Sequence, residues 1–332
     1  MRYMTGSFGI AAALCLWVVA ALPGLANDST ASLDTGGLVL VPNADIRLEE
    51  EDLFISPDLI RVRYVFFNTS DQAIRTPVAF PLPPLVFGED MNYAISPEDP
   101  VNFVGFRLWV DGQRMPFQID ARASTGDGRD ITGLLAKYDI PITTFTADEA
   151  GFMRLRARLD ALPGAAMDEL RAAGAIHGPD WGDGFQEAWS ANVAFYWMQS
   201  FAPRSRVVIE HSYRPVPAHG FYGRYDLEAR YLFDEACIDD SFAAGARRRM
   251  AGTEMDMLGA TILRYVLVTA NNWRGPIGRF RLTVDKGSTD AIVSLCRDGI
   301  RKTGPTSFEW EGFDFRPDRD LTLLFLAPLP TE

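Results

Sequence analysis

Thr269-Ala270-Asn271-Asn272-Trp273-Arg274-Gly275-Pro276-Ile277-Gly278-Arg279-Phe280-Arg281-Leu282-Thr283-Val284-Asp285-Lys286 is the stretch on which the reading of this chain turns. An apolar run from Leu263 enters it, a Gly/Pro-punctuated loop follows, and an alternating run leaves, so it reads as strand, loop, strand. Gly275-Pro276 sets a turn, Asn272 can satisfy loop amides, and Trp273 would cap a sheet edge or the end of a core. On that reading Trp273 is buried. The alternative has Trp273 and Arg274 side by side at the surface as a ligand platform, so both are candidate contacts.

The alternating texture extends over most of the chain. Ile60, Val62, Tyr64 and Phe66 share one face of a strand, with Arg61 and Arg63 on the other. Ile74, Thr76, Val78 and Phe80 line the next, until Pro81, Pro83 and Pro84 end ordinary pairing. Phe103 to Val110 alternates and runs into Asp111-Gly112, a strong hairpin signal because the turn needs positive φ at both positions; Met115 to Ile119 is the expected return strand. Trp189 to Phe201 and Arg206 to Tyr213 continue the pattern, and Ala291 to Cys296, Ser307 to Trp310 and Leu321 to Leu326 complete it. Between them the texture changes. Thr146-Ala147-Asp148-Glu149 fits a capping box, and Phe152, Leu155, Leu159 and Leu162 recur at helical spacing until Pro163. The expectation is a mainly β, sandwich-like and mostly antiparallel fold with a helical insertion at about 130–176. Pro215-Val216-Pro217 reads as a linker, dividing a β domain over 27–216 from a C-terminal β domain over 217–332.

Residues 1–26 have the form of a secretory signal: a charge at Arg2, an apolar run from Gly9 to Leu22, and small residues before a cut after Ala26. An uncleaved N-terminal anchor is the rival reading. Without that segment the balance is 31 basic against 44 acidic residues, a net charge of −13, which opposes binding to nucleic acid. No later run is long and apolar enough for a helical membrane span. The exported chain would keep Cys237 and Cys296, most simply as one disulfide. A loop of that size gives about 4 kcal/mol in the chain-entropy picture.

No nucleophile elbow, phosphate loop, paired-histidine zinc motif or dinucleotide fingerprint occurs, so neither metal nor cofactor is expected. His177, His211 and His219 lack ligand spacing. The acidic run Glu49-Glu50-Glu51-Asp52 reads as a solvated turn or a charged edge that blocks sheet association rather than a calcium loop. Asp127 with Asp130, and Asp180 with Asp183, are weaker acid pairs. Trp181, in a Gly-rich loop, is the best candidate for an exposed ring that could stack on a sugar; Trp189 and Trp197 fit core packing.

Several short motifs together resemble an uncharacterised exported Gram-negative family, domain of unknown function 4424. They are Asn27 to Ala31, Thr35 to Val39, Glu51 to Ser56, Val62-Arg63-Tyr64, Val78 to Pro83, and Asn272-Trp273 through Asp285-Lys286. The resemblance spans almost all of the chain after the signal and implies a periplasmic location, with no activity to carry over. The leading expectation is a non-catalytic binding or scaffold module whose partner is an envelope protein or glycan. The alternatives are an envelope hydrolase using an Asp/Glu pair and a carbohydrate-binding protein.

Overall fold

The computed structural model describes residues 28–34, 37–86, 92–93, 99, 102–142, 149–178, 186–251, 253 and 255–329. The expected signal segment, Trp181, the Asp180/Asp183 pair and the start of the proposed capping box lie outside them. The chain is mainly β and mostly antiparallel, and the helices Thr132–Lys137, Glu149–Asp160 and Gly164–Ala172 form the insertion where it was expected.

Among the described residues, eight strands make the largest sheet, in the order Arg301–Lys302, Ser307–Phe315, Ile277–Asp285, Ile46–Ile55, Ile60–Asn68, Arg206–Tyr213, Arg107–Val110, Gln113–Met115. A second sheet runs Gln118–Thr125, Trp189–Phe201, Ile74–Pro81, Ser29–Asp34, Gly37–Leu40, with Leu85–Val86 also on Trp189–Phe201. The third runs Ile292–Leu295, Leu321–Ala327, Met257–Tyr265, Ala218–Gly223, Asn92–Tyr93. Inward faces of the first two sheets meet through aromatic rings. Phe66 approaches Phe201 at 6.1 Å, Phe80 lies 4.3 Å from His211, and Phe106 stacks on Phe195 at 4.3 Å between centroids. Period-two alternation put these side chains on one face, and burying them drives the layers together.

Among the described residues, the one parallel pairing joins Ile46–Ile55 to Ile277–Asp285 in the middle of the eight-stranded sheet. Strands from both sides of residue 216 therefore share that sheet, and the Pro-rich linker does not separate one sheet from another. The acidic run lies here too, which corrects the turn-or-edge expectation. Glu49 to Asp52 occupies a central strand with neighbours on both sides, and the register against Ile60–Asn68 shifts between Leu48 and Glu50. The extra residue of such a bulge changes which side chains face inward. Leu48, Glu51, Leu53 and Ile55 are buried, while Asp52 stays on the outer face. The Asp111-Gly112 hairpin forms with positive φ at both residues. Its return strand is Gln113–Met115, after which the chain crosses to the second sheet at Gln118. That is earlier and shorter than Met115 to Ile119.

Gly278 sits beside the bulge. A Cβ there would lie 2.6 Å from the backbone oxygen of Glu49, which cannot swing aside as a side chain would. Gly278→Ala is expected to lower unfolding free energy by about 1–3 kcal/mol as the parallel strands are forced apart, measured by urea denaturation.

Candidate functional site

The quoted loop is a clamp. Its entering and leaving strands, Met257–Tyr265 and Ile277–Asp285, belong to different sheets, with a 3-10 turn at Val268–Asn272 between them. The Trp273 indole N–H donates to the Asp28 carbonyl at 2.6 Å, the Asn272 amide donates to Ser29 Oγ at 2.9 Å, and Asn271 donates to the Pro317 carbonyl at 2.8 Å. Trp273 is 3 % exposed, so it offers no ring face to a ligand. Arg274 is exposed, but its guanidinium donates to Thr69 Oγ1 at 2.7 Å and its amide to the Ile46 carbonyl at 2.8 Å. Both candidate contacts thus have structural partners. Cys237 and Cys296 form the expected disulfide.

Beneath the clamp lies a buried polar cluster that the sequence reading did not assemble. Asp28, Glu51, Tyr64, His211 and Tyr265 are all at 0 % exposure. His211 Nε2 lies 3.4 Å from Asp28 Oδ1, and the Tyr64 and Tyr265 hydroxyls are 3.3 Å apart. Burial raises the Asp28 carboxyl above its usual value, while the charge and hydrogen bonding of His211 oppose the shift. Burial, followed by the neighbouring hydroxyl and the Glu51 and Asp28 carboxylates, pushes Tyr64 well above the ordinary phenol range; burial does the same for Tyr265. Both therefore stay protonated and able to donate. Tyr213 is buried beside them, also raised by burial, and its hydroxyl has no hydrogen-bond partner among the described residues. The alternation of Arg206–Tyr213 was the available signal, since it puts His211 and Tyr213 on the same inward face as Val207 and Ile209.

Of this group, Tyr213 borders an apolar crevice. That crevice is lined mainly by Leu82, Pro83, Leu85, Val216 and Ile262, with Arg264 at its rim, and has about 40 Å³ of free volume. Such a space holds a water or two, not a metabolite. His177 and His219 lie elsewhere, and no group of three or more His, Cys, Asp or Glu side chains among the described residues is placed to hold a metal ion. Asp127 is a turn residue: the Thr125 hydroxyl, then Arg129, hold its carboxyl down at about 2.

The outer face of the eight-stranded sheet is different. Its register aligns Glu311, Arg281, Asp52, Arg63, Glu210, Trp109 and Arg114 in one row across seven strands. Charge alternates along the row from Glu311 to Glu210. The adjacent row reads Glu309, Thr283, Phe54, Arg61, Ser212 and Arg107. Asp52 lies 3.0 Å from Arg281, 3.3 Å from Arg279 and 3.9 Å from Arg63. Between the rows is an open hollow with about 310 Å³ of free volume, lined by Asp52, Phe54, Arg61, Arg63, Glu210, Arg281 and Thr283. The Arg61 guanidinium rests over the Phe54 ring at 5.2 Å.

These features define a mainly antiparallel β protein with a sealed polar interior and a charged, open sheet face. The profile of a domain of unknown function, DUF4424, matches residues 26–324, and the chain belongs to that family. No curated protein matches. Among solved structures, the chain is similar to a Legionella pneumophila protein provisionally described as a nutrient binding protein. They share 15 % identity with a TM-score of 0.40, over 86 % of this chain and 68 % of the other. At that level the likeness assigns no ligand here. No helix among the described residues is long and apolar enough to cross a membrane.

Proposed function

We propose that this protein is an exported, non-catalytic binding module of the cell envelope that takes its ligand on the open face of the eight-stranded sheet. The observation that carries the reading is the hollow between the two cross-strand rows, where guanidinium, carboxylate, hydroxyl and ring groups converge on one accessible depression. Sites of this kind combine a few placed polar groups with an apolar wall. Asp52 and Glu210 are two acids in one hollow, as a hydrolase would need, but the Asp52 carboxylate already sits among Arg63, Arg279 and Arg281. It is held as a counter-ion to these arginines, which favours binding over turnover. The signal-like start supports export, and a mature N-terminus at Asn27 found in a periplasmic fraction is the expected result.

The test is a thermal-shift and calorimetric screen of the mature protein against small-molecule fractions of an envelope extract. A saturable response in wild type that is lost in Arg281→Ala is expected. Chemical conversion of a fraction that disappears in Asp52→Asn or Glu210→Gln would overturn the reading in favour of an enzyme.

A further inference from the structure

The composition of the hollow narrows its ligand. Three guanidinium groups line it, from Arg61, Arg63 and Arg281, against two carboxylates, from Asp52 and Glu210, leaving an excess of one positive charge. The rest of the protein is acidic, so this excess is local. The charges are also unevenly engaged. Asp52 draws on Arg63 and Arg281, and Arg63 additionally lies 3.5 Å from Glu50. Arg61 makes no ion pair among the described residues and is instead steadied on Phe54. The Glu210 carboxylate likewise makes no ion pair or hydrogen bond among the described residues. These two are diagonal neighbours on adjacent strands, because Arg61 is opposite Ser212 while Glu210 is opposite Arg63. Diagonal side chains on a sheet stand about 7–8 Å apart at their bases, within reach of one small molecule lying between them.

We propose that the hollow binds an acidic α-amino acid. Its α-carboxylate accepts from the planar fork of Arg61, a pairing that two parallel N–H donors make geometrically specific. Its ammonium group donates to Glu210. Its side-chain carboxylate lies toward Arg281, where the excess positive charge selects a ligand of net charge −1 over a neutral or basic one. The Thr283 hydroxyl and the Phe54 ring supply the remaining polar and apolar walls. This assignment rests on the open-face reading above and gives it a ligand class.

Calorimetric titration of the mature protein with L-glutamate and L-aspartate tests it, with glutarate, L-glutamine and L-lysine as probes lacking the ammonium, the second carboxylate or the negative charge. Saturable binding of an acidic amino acid is expected. It should weaken about tenfold or more in Arg61→Ala and in Glu210→Gln, corresponding to one lost charge-assisted contact, and stay unchanged in Arg75→Ala on the other sheet. Glutarate and glutamine should each bind at least about tenfold more weakly than glutamate. Absence of saturable binding by folded wild type overturns the proposal, as does binding indifferent to both substitutions. If an envelope fraction binds in an Arg281-dependent manner while amino acids do not, the ligand class falls and the open-face reading stands. If neither binds, both fall.

Discussion

Trp273→Ala is expected to lower the unfolding free energy by about 3–5 kcal/mol, the range for emptying a buried aromatic site. The ring is packed 4.6 Å from Phe66 and 6.3 Å from Phe201, so it touches strands of both large sheets. Its indole N–H also provides the 2.6 Å bond to the Asp28 carbonyl. Truncation removes packing and leaves a buried acceptor without that donor, two losses that act together. Trp273→Phe separates them. It keeps most of the ring contact and loses the donor, so a cost of about 1–3 kcal/mol is expected. Urea unfolding followed by far-UV circular dichroism gives both numbers. Domains of this kind have only about 5–15 kcal/mol in hand, so the alanine variant should be visibly compromised at ordinary temperature. An alanine variant within about 1 kcal/mol of wild type would mean the loop is not a clamp.

How much of this was legible follows from the range of the interactions. The strand faces, the Asp111-Gly112 hairpin, the helical insertion and the burial of Trp273 follow from alternation, turn chemistry and helical spacing, all short-range patterns. The disulfide was readable because an exported chain would retain only two cysteines. What was missed depends on register between distant segments. Asp52 finds Arg281 through a parallel pairing that no local signal announces. Read in isolation, four consecutive acids look like a solvated turn. In the sheet, arginines from two neighbouring strands stand beside Asp52, and a bulge sends Glu51 inward. The hollow is likewise assembled from four strands spread between Asp52 and Thr283. Asp28 and His211 are equally remote in sequence. A charged residue just after a signal-like start gives no hint that it will be a fully buried acid beside a histidine.

That pair carries the other large effect. His211→Ala is expected to cost about 3–5 kcal/mol, because it deletes a buried ring and takes a charge partner from a buried acid. The imidazole lies 4.3 Å from the Phe80 ring, 5.2 Å from Phe106 and 5.6 Å from Tyr64. The groups around the pair are the Tyr64 and Tyr265 hydroxyls and the Glu51 carboxylate, brought from three different strands. The pH dependence distinguishes a lost charge partner from a simple cavity. The folded-state value of Asp28 is raised above its ordinary 3.8, so the native protein holds this proton more tightly than the unfolded chain. Its contribution to stability is fully present below that ordinary value and is lost as pH rises through the raised one. Removing His211 removes both of the opposing influences, so the native value moves higher still. The penalty of His211→Ala should therefore grow as pH rises from acid toward neutral. Carboxylates held down by arginines, such as Glu49 with Arg47 and Arg206, have the opposite pH dependence but occur in both proteins and cancel in the difference. Measured within an Asp28→Asn background, the His211→Ala step should lose this pH dependence and keep the cavity cost. Urea midpoints across the acid-to-neutral range provide the measurement. A penalty that is constant with pH would show that His211 acts in the core as a packed ring alone, with no charge to balance.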